Sequence, residues 1–311
     1  MTSESDIRAE GPMATETPTA GALPRIRLLY WSVRRELWEH RVVYVAPLAV
    51  AAVALAGFLL GAVRLPHAVE AASALNAAKR AGAALAIPYH FVAFAVVAVA
   101  LLVAVFYCQG ALHGERRDRS ILFWKSLPVA DLTTVLSKMA VPVLILPAIT
   151  FAVVVGAHLI MLTLGTLVVA ASGLDPNALW VHLTILHTWG MLLQGLPIIT
   201  LWYAPLYAWL ILVSAWAKRA PFLWALAAPL ALALVERLAL GTSAVWAWLG
   251  LRMIGPFAAA YAEGQQAGAA GIHAPIGNPV DWDRPHIWIG LVLATIFLAA
   301  AVRLRRSSEP I

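Results

Sequence analysis

The densest run of charge in this chain lies between two long apolar stretches, at residues 114–131. Acidic and basic groups stand there beside aromatic and aliphatic ones, so the run offers ionic contacts and apolar area together. Charges of this density cannot lie in lipid, and the mixture is suited to docking on a partner at a membrane surface. The candidate docking residues are Glu115, Arg116, Arg117, Asp118, Arg119, Ile121, Leu122, Phe123, Trp124, Lys125 and Leu127.

Two other interpretations of this charged segment stay open. Its basic residues Arg116, Arg117, Arg119 and Lys125 could bind anionic lipid headgroups. The segment could also be a plain solvated loop whose basic residues follow the positive-inside rule. A plain loop needs neither the acidic residues nor the aromatic pair, so partner docking is favoured.

Local sequence signals predict a helix, a turn and a second helix around the charged segment. A helix from Glu115 to Ser126 is expected to end there, because Pro128 has no N–H group and restricts the residue before it. Asp131 is then predicted to be the N-cap of the next helix, whose first turns are residues 132–138.

Composition indicates the kind of protein that carries this segment. Of 311 residues, 62% are hydrophobic and 12% are charged, and the mean hydropathy is +0.81. Soluble domains contain about 25% charged residues, so the chain is predicted to be an integral membrane protein. Its long Ala, Leu and Val runs fit helices, in which every backbone group is satisfied within the segment. The single cysteine, Cys108, excludes an intrachain disulfide and a cysteine-based metal site.

The predicted fold class is an all-α membrane protein with six transmembrane helices. The spans are expected at residues 42–63, 90–112, within 139–171, 196–216, 222–238 and 287–302. Residues 25–40 are predicted to form a basic amphipathic elbow helix that lies at the membrane interface. Residues 241–285 are interpreted as an extramembrane loop with a short interfacial helix.

The two ends of the chain are interpreted as tails. Residues 1–24 are polar and aperiodic, which is typical of a disordered cytoplasmic tail. The transmembrane domain is expected to cover residues 25–306, and residues 307–311 form the C-terminal tail. With the N-terminus inside, most of the 22 Lys and Arg residues fall on inner segments. This distribution predicts cytoplasmic termini in a cell (inner) membrane and a cytoplasmic charged segment.

The stretch from Tyr107 to Asp131, continued by Ser137 and Lys138, resembles the signature of ABC-2-type transporter permeases. In that family a Glu-Arg pair after the second span leads into a short helix, a Ser-Leu-Pro-Val turn and a Lys that opens the third span. The matching positions here are Glu115-Arg116, Ser126-Leu127-Pro128-Val129 and Lys138.

The resemblance implies a six-span subunit with cytoplasmic termini, an elbow helix and a coupling helix at residues 115–127. In the family the coupling helix sits in a groove of a separate ATPase subunit, which binds ATP and Mg²⁺. A second permease, either a copy or a paralogue, completes the transporter. Residues 214–224 are also similar to the tight turn between the fourth and fifth spans of one subgroup, whereas the region 241–285 departs from that pattern.

Several kinds of catalytic or metal site find no support in the sequence. The chain has no Gly-x-x-x-x-Gly-Lys-Ser/Thr loop, so it is not expected to hydrolyse ATP itself. His182 and His187 are five residues apart and neighbour tryptophans, which favours interfacial histidines over a metal site. Asp281 and Asp283 lie in a Pro-flanked loop and are interpreted as turn or helix-start residues.

Ionisable residues inside spans are functional suspects by default. The candidates are His90, His158 and Glu236, each of which is expected near a span end or at uncertain depth. A proton-coupled transporter would normally need a deeper carboxylate, so an energy source outside the chain is favoured.

The leading functional hypothesis is therefore the membrane subunit of an ATP-driven exporter with a hydrophobic or amphipathic cargo. No catalytic, cofactor-binding or metal-ligating residue and no nucleic-acid partner is expected in this chain. One alternative is a membrane-embedded enzyme that acts on lipid-linked substrates through the His and Asp residues of the outer loops. Another is a non-transporting membrane anchor for a cytoplasmic partner.

Overall fold

In the computed structural model, residues 25–73, 78–118, 130–182, 185–266 and 285–307 are described, and every regular element within them is helical. The helices are α1 (Arg25–Glu39), α2 (Val42–Gly61), α3 (Leu65–Ser73), α4 (Ala78–Gly110), α5 (His113–Arg117), α6 (Asp131–Ala140), α7 (Leu146–Ala171), α8 (Asn177–His182), α9 (Ile185–Trp216), α10 (Pro221–Leu240), α11 (Ala244–Gln266) and α12 (Pro285–Ser307). A 3₁₀ turn at Ala62–Arg64 joins α2 to α3, and a π-helical turn at Val141–Ile145 joins α6 to α7.

Six segments of the described chain are long and apolar enough to cross a membrane. They are Val42–Glu70, Leu85–Arg117, Asp131–Ala171, Ile185–Trp216, Pro221–Leu240 and His286–Ser307. A span needs about 20 apolar residues, and each of these segments meets that length. The predictions of an all-helical fold and of six segments able to span a membrane are confirmed for the described residues.

Helix α9 is the central helix of the bundle. Its side chains are the most thoroughly buried of the six spans, and it packs along α12, α4 and α7. Helix α10 lies at the opposite extreme, with Ala225 as its buried residue and leucines such as Leu223, Leu230 and Leu238 exposed. Exposed leucines are favourable where lipid tails surround a helix, because those tails are as apolar as the side chains.

The π-helical turn interrupts the third span close to its start. Pro142 lies in the turn and Pro147 just after it, and neither can donate a backbone hydrogen bond. A widened turn lets the chain continue as a helix past missing donors. A small apolar recess lies beside the turn and is lined partly by Val97, Leu146 and Tyr207. The third span is therefore two helices, α6 and α7, joined at a distinct turn.

The region 241–285 contains a longer helix than the short one expected, because α11 runs for 23 residues. Its start is stabilised by Glu236 of the preceding helix, whose carboxylate accepts hydrogen bonds from the backbone N–H groups of Ala244 (2.7 Å) and Val245 (2.8 Å). The first N–H groups of a helix lack partners within it, so this carboxylate caps α11. Glu236, one of the ionisable residues singled out as functional candidates, is thus a helix-capping residue.

The turn between the fourth and fifth spans is as tight as expected, with α9 ending at Trp216 and α10 beginning at Pro221. Ala220 adopts a left-handed conformation in this turn, with φ of 47°. That conformation places the Cβ of an L-residue too close to its own backbone, and glycine avoids the clash.

We therefore expect Ala220→Gly to raise the free energy of unfolding by about 0.5–1 kcal/mol, since it removes this strain. Thermal unfolding of the purified protein in detergent measures the change. Ala231→Gly, at an exposed position inside α10, is the matched control and should lower the free energy of unfolding by about 1 kcal/mol. Equal losses for both variants would show that the Ala220 conformation is unstrained.

Candidate functional site

The eleven predicted docking residues fall into three groups in the structure. Glu115 and Arg116 lie in α5 and are buried, with 8% and 7% of their surfaces exposed. Arg117 and Asp118 follow at the exposed end of α5 and pair with each other at 3.5 Å. The prediction of a continuous helix from Glu115 to Ser126 is wrong at Asp118, because α5 ends at Arg117 and Asp118 is its C-cap with a non-helical backbone; residues 119–126 lie outside the described part of the chain. The docking residues outside the described part of the chain are Arg119, Ile121, Leu122, Phe123, Trp124, Lys125 and Leu127.

The buried carboxylate of Glu115 holds cations from two other helices. Its Oε1 lies 3.0 Å from Nζ of Lys138 in α6, and its Oε2 lies 2.6 Å from Nη1 of Arg305 in α12. Lys138 and Arg305 are themselves 1% and 4% exposed. Charge-assisted hydrogen bonds of this length are stronger than neutral ones. Glu115 therefore ties the end of the second span to the start of the third and the end of the sixth.

Lys138 also binds a second buried carboxylate, that of Glu36 in α1. The distance from Lys138 Nζ to Glu36 Oε1 is 2.9 Å, and Glu36 has no exposed surface. Tyr107 of α4 donates its hydroxyl to Glu36 Oε2 at 2.9 Å, and Arg35 Nη2 lies 3.0 Å from Oε1. One ammonium group is thus shared by two carboxylates from different helices.

We call this cluster the ion-pair network, and it consists of Arg35, Glu36, Tyr107, Glu115, Asp131, Lys138 and Arg305. It contains three cations and three carboxylates, so its formal charges cancel. A buried charge is tolerated only when it is paired and hydrogen-bonded, and the network meets that condition. It joins helices α1, α4, α5, α6 and α12 at one end of the bundle.

The environment of Glu36 keeps this carboxylate ionised at neutral pH. Burial by itself raises the pKa of Glu36, but the charge of Lys138 and the hydrogen bonds from Lys138 and Tyr107 outweigh it. The pKa of Glu36 therefore lies below its ordinary value of 4.5. A carboxyl group with a lowered folded-state pKa stabilises the fold at neutral pH, and that contribution is lost as the pH falls through the folded-state pKa.

The predicted N-cap role of Asp131 is wrong by one residue. Asp131 is the first residue of α6, and Ala130 occupies the N-cap position without a side-chain hydrogen bond. The Asp131 carboxylate accepts a hydrogen bond from Nε of Arg305 at 3.0 Å instead. The charged guanidinium of Arg305 attracts the Asp131 carboxylate more strongly than a neutral backbone N–H group does. Asp131 still lies in the first helical turn, where a negative charge is favourable.

Arg116 and His113 bind the end of the central helix. Arg116 Nη1 donates to the carbonyl oxygen of Ala215 at 2.7 Å, and His113 Nδ1 lies 3.1 Å from the carbonyl oxygen of Ala217. The backbone N–H of Leu112 also donates to the hydroxyl of Ser214. The last carbonyl groups of a helix have no partner within it. Residues at the start of the charged segment therefore complete the end of α9.

His158 is a structural residue of the bundle interior. Its Nε2 lies 2.9 Å from the carbonyl oxygen of Tyr89, which can only accept a hydrogen bond, so Nε2 carries the proton. Its Nδ1 accepts a hydrogen bond from the indole N–H of Trp189 at 3.1 Å. Both ring nitrogens are satisfied by a neutral imidazole. The sequence alone does not indicate this pairing.

The remaining candidates do not assemble into a site within the described chain. Cys108 and His90 are buried, and His187 is exposed. Asp281 and Asp283 lie outside the described residues. Among described residues, Glu36, Glu39 and His40 have ligand atoms close enough for a metal ion. Lys138 and Arg35 already occupy the Glu36 carboxylate and would repel a cation there.

Sequence reasoning missed several members of the network, namely Arg35, Glu36, Tyr107 and Arg305. A signal was available for Glu36, because it lies three residues after Val33 and beside Leu37, on the apolar face of α1. An acid on an apolar helix face requires a buried partner. That partner is Lys138, which lies 102 residues further along the chain. Local sequence therefore does not indicate which residue pairs with Glu36.

Comparison of the chain with protein-family models, with curated proteins and with solved structures finds no match. Buried ion pairs link the charged segment to several spans at once.

We expect Lys138→Met to lower the free energy of unfolding by about 3–5 kcal/mol, because it leaves two buried carboxylates without their shared cation. Thermal unfolding in detergent measures this loss. Arg117→Met removes a cation from an exposed pair of the same segment and should change the free energy of unfolding by at most about 1 kcal/mol. A loss for Lys138→Met as small as that of the control would contradict a stabilising role for the network.

The lowered pKa of Glu36 also predicts an acid-sensitive component of stability. Wild-type protein should lose stability as the pH falls below 4.5, the ordinary pKa of this carboxyl group, and Glu36 becomes protonated. The Glu36→Gln variant should be less stable at neutral pH but show a shallower decline over this range. Glu39→Gln, which alters an exposed carboxylate on the same helix, should keep the wild-type slope. Identical slopes for all three proteins would exclude Glu36 as the titrating group.

Proposed function

We propose that this chain is the permease subunit of an ABC exporter and that its segment 115–127 connects it to a separate ATPase subunit, which binds the residues from Arg117 onward. The observation that carries the proposal is the position of Glu115. This residue, which opens the permease-like sequence, is the acid that bridges Lys138 and Arg305 in the bundle. A docking segment can drive transport only if its displacement reaches the spans, and the buried bridge supports such a connection.

Two residues that are close in sequence have different roles in this segment. Glu115 faces the network, whereas Arg117 two residues later is exposed and available to a partner. Glu115 and Arg116 therefore position the docking surface from inside the protein and do not contact the ATPase themselves. Contact with the ATPase falls to Arg117, Asp118 and the residues that follow them.

The connection continues into the membrane along the third and fourth spans. Lys138 lies in α6, before the π-helical turn at Val141–Ile145. Because the turn separates α6 from α7, α6 can change direction relative to α7 while Lys138 keeps its ion pairs. Arg116 holds the end of α9, which is the most buried span. We propose that ATP-driven movement of the docking segment moves α6, α12 and the end of α9 together.

The same proposal assigns an orientation to the chain. The end of α5, the start of α6 and the end of α12 meet at the network, and the end of α9 contacts the adjacent Arg116. We place this end of the bundle on the cytoplasmic side with both termini. The Lys and Arg distribution supports that assignment. The side chains of α1 support its assignment as an interfacial elbow helix. Trp31 and Trp38 are exposed, and each ring centroid lies 5.2 Å from the guanidinium carbon of Arg34, whereas Glu36 faces inward.

The complete exporter requires parts that this chain does not supply. An ATP-binding-cassette ATPase would bind ATP and Mg²⁺ and perform hydrolysis. A second permease, identical or paralogous, would form the other half of the pathway in the cell membrane. The cargo is proposed to be hydrophobic or amphipathic, because the spans carry few polar groups.

The test is purification of the full chain with the ATPase that associates with it. We expect a stoichiometric ATP-binding-cassette subunit, and we expect Arg117→Glu to weaken its binding at least about tenfold through charge reversal at the interface. Arg303→Glu reverses an exposed arginine in the last span near the network and should leave binding unchanged. Copurification of no ATPase, or equal binding by both variants, would overturn the assignment.

A further inference from the structure

Arg252 fixes α11 to two spans of the bundle. Its side chain is buried, with 4% of its surface exposed. Nη1 donates to the carbonyl oxygen of Trp202 in α9 at 2.9 Å, and Nη2 donates to the carbonyl oxygen of His286 in α12. The guanidinium carbon lies 4.7 Å from the ring centroid of Trp202 and 5.3 Å from that of Trp248. The guanidinium is thus enclosed by two aromatic rings and two backbone carbonyls.

The surrounding backbone is adapted to this arginine. Pro256, four residues further along α11, has no N–H for the carbonyl of Arg252, and the indole N–H of Trp202 takes that place at 3.1 Å. Gly255 allows Trp202 to approach, since a Cβ there would lie 3.0 Å from the ring. At Gly290 the guanidinium occupies the space that a Cβ would need. Three helices therefore cooperate to house one cation.

The charge of Arg252 has no anionic partner in the described part of the chain. Both of its hydrogen-bond acceptors are neutral carbonyls. Its Nε is buried and donates to no acceptor among the described residues. Aromatic faces compensate a buried cation only partly, and an uncompensated charge costs several kcal/mol. An arginine in this setting calls for an anion.

The position of Arg252 along the bundle suggests where that anion comes from. Trp202 lies 14 residues before the end of α9 at Trp216, which corresponds to about 21 Å of helix. His286 lies 19 residues before Arg305, which corresponds to about 28 Å. The hydrocarbon core is about 30 Å thick. Arg252 therefore lies in the half of the bundle opposite the ion-pair network, on the side of the opposite leaflet.

We propose that Arg252 binds the phosphate group of an amphiphile whose apolar chains lie against the exposed side chains of Met253, Ile254, Trp288 and Ile289. A guanidinium matches the geometry of a phosphate through paired N–H donors. The first turn of α12, beside Arg252, adds the positive end of a helix dipole. Trp248, one turn earlier in α11, is half-buried and covers one side of the guanidinium.

This inference rests on the proposed function only in treating the amphiphile as the cargo. Binding itself is a property of the permease alone. Failure of ATPase docking would leave the phosphate site intact, and absence of the phosphate site would leave ATPase docking intact.

The experiment is native mass spectrometry of the full chain in neutral detergent. The probes are phosphatidic acid, the diacylglycerol with the same chains, and inorganic phosphate. We expect one phosphatidic acid molecule per chain and no retained diacylglycerol. Arg252→Gln should raise the dissociation constant at least about tenfold, and Arg252→Lys should raise it less. Arg64→Gln, an exposed arginine at the same end of the bundle, should bind as wild type does.

The competing outcomes are distinct. Displacement of phosphatidic acid by inorganic phosphate would support the site and assign it to a soluble anion, whereas resistance would assign it to the amphiphile. Equal retention of diacylglycerol and phosphatidic acid by wild-type protein would overturn the proposal without any variant that must fold. So would binding that appears only after Asp281→Asn or Asp283→Asn, because a carboxylate of the chain would then be the natural partner of Arg252.

Discussion

A single ammonium group shared by two buried carboxylates constrains much of the rest of the bundle. Lys138 can hold Glu36 and Glu115 together only if α1, α5 and α6 converge within hydrogen-bond distance of one another. Arg305 extends the same requirement to the last span. Buried charges tolerate little separation, because their attraction must offset the loss of water around each. Packing among these helices is therefore fixed by charge geometry as well as by apolar area.

Around this constraint the bundle divides into tightly and loosely held parts. Helix α9 is buried along most of its length and is completed at its end by Arg116. Helix α10 leaves most of its surface exposed. A helix with most of its surface exposed leaves no backbone group unsatisfied, since its hydrogen bonds are internal.

The sequence predicted the spans well because hydrophobic length is a local property, and each of the six predicted spans overlaps a helical segment of the structure. It predicted the inward-facing part of the site poorly. Glu115 and Arg116 are charged residues of the kind usually found at a surface. Their burial depends on contacts with Lys138 and with the end of α9, which are distant in the chain. Arg252 lies in the region predicted to be an extramembrane loop, yet its contacts with Trp202 and His286 bury it. Local sequence shows that a charge exists, whereas its depth is set by tertiary partners.

The π-helical turn has one further consequence for the third span. An α-helix advances about 100° per residue, and a π turn accommodates one extra residue. The turn at Val141–Ile145 therefore sets the angular phase of α6 independently of that of α7. Lys138 can face the carboxylates while Thr150 and Val154 face the apolar interior. The direction of the charged side chain in α6 and the direction of the packed side chains in α7 are thus set independently within one span.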